Sequence, residues 1–122
     1  MKVEFNFYPS SGGSAIYTID YYNDSLYIKN LEPTGNELTD FKKYLSENEI
    51  ERVKQMVSKL KKRDVIETNI ILDAWRVELI IDGIIYYNES DVKLETLPTD
   101  IKSLLNLLIE ESTVKIDLYG FS

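Results

Sequence analysis

The chain has 122 residues with no histidine and no cysteine, nine tyrosines and a formal net charge of −7. Those two absences exclude the commonest general base and metal ligand, Ser-His and Cys-His nucleophile systems, and thiolate or imidazole zinc sites. Chemistry within the chain is confined to carboxylates, lysine, tyrosine and hard cations, and the size suits one domain spanning residues 1–122 with an unstapled core.

The N-terminal stretch lacks the apolar core and cleavage pattern of a leader. No run approaches the roughly 20 apolar residues of a membrane span, so the expectation is a soluble, cytoplasmic product with no membrane partner. Charge is uneven: residues 1–38 hold two bases against five acids, residues 39–66 eight against five, and residues 67–122 four against eleven. Such a field repels nucleic acid and favours basic partners.

In chain order, Lys2 to Tyr8 alternates Val3, Phe5 and Phe7 with polar residues, the period of a half-buried strand. Pro9 to Ser14 follows as a loop. Ala15 to Tyr22 and Ser25 to Leu31 form a hairpin over Asn23-Asp24, residues that tolerate positive φ. A two-residue loop sets Tyr21 opposite Leu26, Ile19 opposite Ile28, Asp20 opposite Tyr27 and Thr18 opposite Lys29. One face is then apolar and the other mixed, and a one-residue slip would destroy that sorting.

Glu32 to Asn36 breaks the pattern, and Leu38 to Leu45 is a short strand or an extended edge. Ser46-Glu47-Asn48-Glu49 matches a capping box and opens a helix with Ile50, Val53, Met56, Val57 and Leu60 on its apolar stripe. Lys59, Lys61, Lys62 and Arg63 close it, as cations that complement the helix dipole; no glycine-lysine pair suggests a phosphate loop.

Asn69 to Asp82 and Ile84 to Ser90 make a second hairpin on Asp82-Gly83, which favours a type I′ turn. Uninterrupted pairing sets Ile81 opposite Ile84, Leu79 opposite Tyr86 and Arg76 opposite Glu89, with Trp75, Val77, Leu79, Ile81, Ile84 and Tyr86 facing the core. Pro98 starts a second, more apolar helix through about Glu110, and Thr113 to Tyr119 alternates as a last strand. The order β-β-β-(β)-α-β-β-α-β specifies an α+β fold, a largely antiparallel sheet with two helices packed on one face.

Asp73, Glu78, Glu89 and Asp91 are the best acidic group, with Glu78 and Glu89 on one hairpin face near Arg76. Paired carboxylates suit acid-base chemistry or a divalent cation, but water-facing strands carry such residues routinely and no spacing matches a calcium loop. No metal, cofactor or catalytic residue is assigned. Outward tyrosines are good strand formers and also good interface residues. Asp20, Tyr22, Tyr27, Glu78, Tyr87 and Glu89 lie opposite the expected core, so an aromatic, acidic sheet face is the expected surface for a basic protein partner. The alternatives are a small carboxylate- and tyrosine-based enzyme or ligand-binding domain, or a self-interface in a homodimer or other homo-oligomer.

The segments LDAWRVELIIDG, the following YY, LPTDIKSLLNLLIEES and KIDLYGFS, within residues 64–122, resemble small bacterial proteins of toxin-immunity type. That resemblance implies a non-enzymatic inhibitor and carries over no site residue.

Overall fold

The computed structural model describes residues 1–8, 15–30, 39–61, 76–90 and 93–113. Its strands are β1 (Val3–Tyr8), β2 (Tyr17–Tyr22), β3 (Ser25–Asn30), β4 (Thr39–Tyr44), β5 (Arg76–Ile81) and β6 (Ile84–Ser90), with helices α1 (Glu47–Ser58) and α2 (Thr99–Ser112). All six strands pair antiparallel in the order β4-β3-β2-β1-β5-β6. The expected α+β class holds, and Thr39–Tyr44 is a paired strand at one edge. The chain runs as a meander from β1 to β4. After α1 it returns to lay β5 on the other side of β1, so β1 separates the two hairpins.

The β2–β3 hairpin has the expected register throughout. Asn23 and Asp24 both take positive φ, 51° and 58°, which gives the two-residue turn the twist of its strands. Asp82 (φ 51°) and Gly83 (φ 79°) close the second hairpin in the same way, and Ile81 does face Ile84.

Beyond Ile80–Ile85 the expected pairing fails. A bulge between Leu79 and Ile80 leaves Tyr86 as the extra residue, and from there Leu79 faces Tyr87, Val77 faces Glu89 and Arg76 faces Ser90. One inserted residue sends every later side chain on β6 to the opposite face. Tyr87 is therefore buried, whereas Ile84, expected in the core, is 45% exposed and Tyr86 only partly buried. Trp75, Asp73, Asp91 and the strand expected after Thr113 lie outside the described residues.

Val3, Phe5 and Phe7 of β1, Ile19 and Tyr21 of β2, Leu26 and Ile28 of β3, and Val77, Leu79 and Ile81 of β5 form the core face of the sheet. Both helices cover that face. Val53 of α1 and Ile101, Leu104, Leu105 and Leu108 of α2 are buried against it, and Ile50, Met56, Val57 and Leu60, partly buried, pack against the same core. Burying each such aliphatic side chain contributes roughly 1.5–3 kcal/mol.

The capping box of α1 is formed: Glu49 N donates to Ser46 Oγ at 3.3 Å and Ser46 N to Glu49 Oε1 at 2.9 Å. Among the described residues no base occupies the last helical turn, because α1 ends at Ser58 and Lys59 is its C-cap; Lys62 and Arg63 of the expected cluster lie outside the described residues. On the helix side of β4, Lys43 Nζ donates to the Glu111 carbonyl of α2 at 2.6 Å and to Glu49 Oε2 of α1 at 3.1 Å, tying both helices to the sheet edge. No helix among the described residues is long and apolar enough to cross a membrane.

Candidate functional site: the helix-free face of the sheet

The pleat that points Phe5, Ile19 and Ile28 at the helices points Glu4, Asp20 and Tyr27 the other way. Cross-strand partners share a face, so the register places Lys42, Tyr27, Asp20 and Glu4 in one row from β4 to β1. Tyr44, Ser25 and Tyr22 form the row beside it. Ile80 of β5 and Ile85 of β6, the latter 38% exposed, continue the first row on the far side of Glu4.

Tyr22 and Tyr27, diagonal neighbours across the β2–β3 ladder, stack with ring centroids 4.4 Å apart and planes 15° from parallel. Their rings also attract cations. Lys2 Nζ lies 5.4 Å from the Tyr22 centroid, and Lys42 Nζ lies 5.3 Å from that of Tyr27 and 4.6 Å from that of Tyr44. Tyr44 itself is 74% exposed, and its proximity raises the pKa of Lys42 above the ordinary lysine value. Asp20, Tyr22, Tyr27, Lys29 and Lys42 line an open groove of about 440 Å³.

Asp20 is the anomalous member. Its Oδ1 is out of contact with solvent and has no hydrogen-bond donor, and Glu4, a second carboxylate, stands directly opposite on β1. Burial first, and the Glu4 charge second, push the Asp20 pKa up to about 6, against the opposing pull of Lys2 and Lys29. Glu4 is the better supplied of the two, since Lys2 Nζ pairs with its Oε1 at 2.8 Å.

Glu78 lies on the same face but belongs to a separate, internally satisfied group. Its Oε1 accepts from Asn6 Nδ2 at 3.0 Å and from Tyr8 OH at 3.1 Å, while the Arg76 guanidinium carbon sits 4.0 Å from the Tyr8 ring centroid. Of the six expected site residues, Asp20, Tyr22 and Tyr27 are thus together in one groove, and Glu78 is on the same face beyond β1. Tyr87 and Glu89 are not on this face: the bulge turns Tyr87 into the core and pairs Glu89 with Val77, on the helix side.

Lys42, Tyr44 and Glu4 join the site without having been singled out in the sequence. Alternation of Asp40, Lys42 and Tyr44 with Phe41, Lys43 and Leu45 was the available signal for the first two. The face is also less acidic than expected. Among the described side chains, Lys2, Lys29, Lys42 and Arg76 accompany Glu4, Asp20 and Glu78 on this face. Among the described residues no group of three carboxylates is placed to hold a metal ion. Comparison with protein-family models, curated proteins and solved structures finds no match to this chain.

Proposed function

We propose that this chain is a non-enzymatic protein-binding domain that docks its partner on the helix-free face of the sheet, as an immunity-type inhibitor in the cytoplasm would dock a toxin. The mixed charge of the face supports a local contact at Asp20 rather than a broadly basic partner surface. The observation that carries the reading is the aromatic cluster of the partly buried Tyr22 and Tyr27 with the exposed Tyr44, around the under-satisfied carboxylate of Asp20. Tyrosine contributes large contact area at low entropy cost and dominates interface energetics. A carboxylate short of donors is improved by any cation that a partner brings.

The test is affinity capture from native lysate at low and moderate salt, with the wild-type chain, a Tyr22→Ser/Tyr44→Ser variant, and Glu51→Lys on α1 as a control. The reading expects one stoichiometric protein held by wild type and Glu51→Lys and lost by the tyrosine variant. No stoichiometric partner, or a partner held equally by all three, would overturn it.

One observation favours a second reading, a small-molecule site. The groove volume of about 440 Å³ falls in the range of ligand pockets, and burial with the Glu4 charge raises the Asp20 pKa to about 6, the kind of perturbation common among carboxylates at functional sites. A metabolite or divalent metal that raises the melting temperature of wild type but not of Asp20→Asn would favour that reading.

A further inference from the structure

Building on the docking surface proposed above, we infer that the partner's central anchor is an arginine, whose guanidinium lies against the Tyr27 ring and pairs with the carboxylate of Asp20. The sheet contains an internal precedent. On the same face Arg76 stacks over Tyr8 at 4.0 Å and its Nη1 donates to Asn88 Oδ1 at 3.2 Å, while the Glu78 carboxylate accepts from Tyr8 OH and Asn6. Ring, guanidinium and carboxylate are all present there. At Tyr27 and Asp20, direct cross-strand neighbours, the ring and the carboxylate are present and the guanidinium is not.

Three features of the groove suit that occupant. The tyrosine faces already recruit the chain's own ammonium groups, Lys2 over Tyr22 and Lys42 over Tyr27 and Tyr44. These lysines sit on flexible stems at the rim, and a planar, weakly hydrated guanidinium competes well with an ammonium for a ring face. Asp20 Oδ1 is buried and lacks a donor, so the carboxylate is short of hydrogen bonds, and its other oxygen is the one left to meet a donor from outside.

The groups facing Asp20 are Glu4 and Lys2 from the β1 side, Tyr27 and Lys29 from β3, and Tyr22 on its own strand. Lys2 is paired to Glu4 and Lys42 leans towards Tyr44; Lys29 is the remaining ammonium that acts on Asp20 through its charge, and none of the three donates to Oδ1. Raised as it is by burial and by Glu4, the Asp20 carboxyl takes up a proton as pH falls through about 6. An arginine bound to it is therefore held more weakly below that pH.

The experiment is a random-peptide display selection on the immobilised full chain at pH 7.5, with binders mapped by amide chemical-shift changes. The inference expects binders that perturb Asp20, Tyr27 and Lys29, share an arginine, and lose roughly tenfold or more in affinity when that arginine becomes lysine. Asp20→Asn should weaken the same peptides comparably and abolish their loss of affinity between pH 7.5 and 5. Tyr27→Leu, which keeps the carboxylate, should weaken them as well. Binders that map to this face but lack arginine, or that ignore Asp20→Asn, would overturn the arginine anchor while leaving the docking surface standing. Binders that all map elsewhere would remove the docking surface itself.

Discussion

Glu111, in the last turn of α2, is buried to 4% exposure, and neither of its carboxylate oxygens has a hydrogen-bond donor. The Lys43 ammonium donates to the Glu111 backbone carbonyl and to Glu49 instead. Burial, with the Glu49 charge next, pushes the Glu111 pKa from the ordinary 4.5 up to about 7; Arg52 and Lys43 pull the other way. At about 1.4 kcal/mol per pKa unit, ionising this side chain in the folded state costs about 3 kcal/mol.

Between 4.5 and about 7 the folded chain keeps a proton that the unfolded chain has lost. Stability from this residue is complete below pH 4.5, declines as pH rises to about 7, and is absent above. Glu111→Gln removes the ionisation and keeps the shape. Its stability relative to wild type should rise across that window by up to about 3 kcal/mol. The neutral amide is itself short of partners, so the difference at pH 4 can have either sign; the change between pH 4 and pH 8 is the diagnostic. Urea unfolding at half-unit pH steps, followed by tyrosine and tryptophan fluorescence, gives both curves, and subtracting them cancels every other titrating group. A difference that stays constant within about 0.5 kcal/mol from pH 4 to pH 8 would refute the reasoning, since so small a change cannot accompany a shift of this size.

Asp20→Asn should also stabilise the fold at pH 8, by about 1 kcal/mol after allowance for partial exposure, with the gain vanishing below pH 4; urea midpoints at the two pH values check it. Thr113, the C-cap of α2, holds φ 61°, a left-handed conformation unfavourable for a β-branched residue. Thr113→Gly should therefore raise stability by about 1 kcal/mol in thermal unfolding. Gly83→Ala should cost about 1–2 kcal/mol by the same assay, purely through conformation. A Cβ there meets nothing within 4 Å, so the loss would follow from φ 79° rather than from a clash.

The two hairpins differ in how much of them is legible in the chain. Asn23-Asp24 and Asp82-Gly83 both announce their turns, and alternation on either side of Asn23-Asp24 carries the register to the end of β2 and β3. Ile84-Ile85-Tyr86-Tyr87 is apolar at four successive positions, so no alternation marks the insertion of Tyr86. Everything beyond it, including Tyr87 and Glu89, is then assigned to the wrong face. The part of the site that could be read, Asp20 with Tyr22 and Tyr27, comes from one hairpin. Lys42 and Glu4 arrive from β4 and β1, through pairings whose order the local pattern does not encode.

The same limit explains why Asp20 and Glu78 look equivalent in the chain and are not equivalent in the fold. Both are acids at outward positions of alternating strands, and both lie beside β1. Opposite Glu78, β1 places Asn6, which donates to it, and Tyr8 from the next outward position donates as well. Opposite Asp20, β1 places Glu4, which donates nothing and adds a like charge. Two residues of spacing on one strand thus decide which carboxylate is spent inside the protein and which is left for a ligand. An exchange of those neighbours makes the point testable: Glu4→Gln supplies a donor opposite Asp20 and should lower the Asp20 pKa from about 6 towards the ordinary range, measurable by carboxyl carbon NMR. An Asp20 that still titrated near 6 in that variant would show that burial alone, and not the residue across the ladder, sets its state.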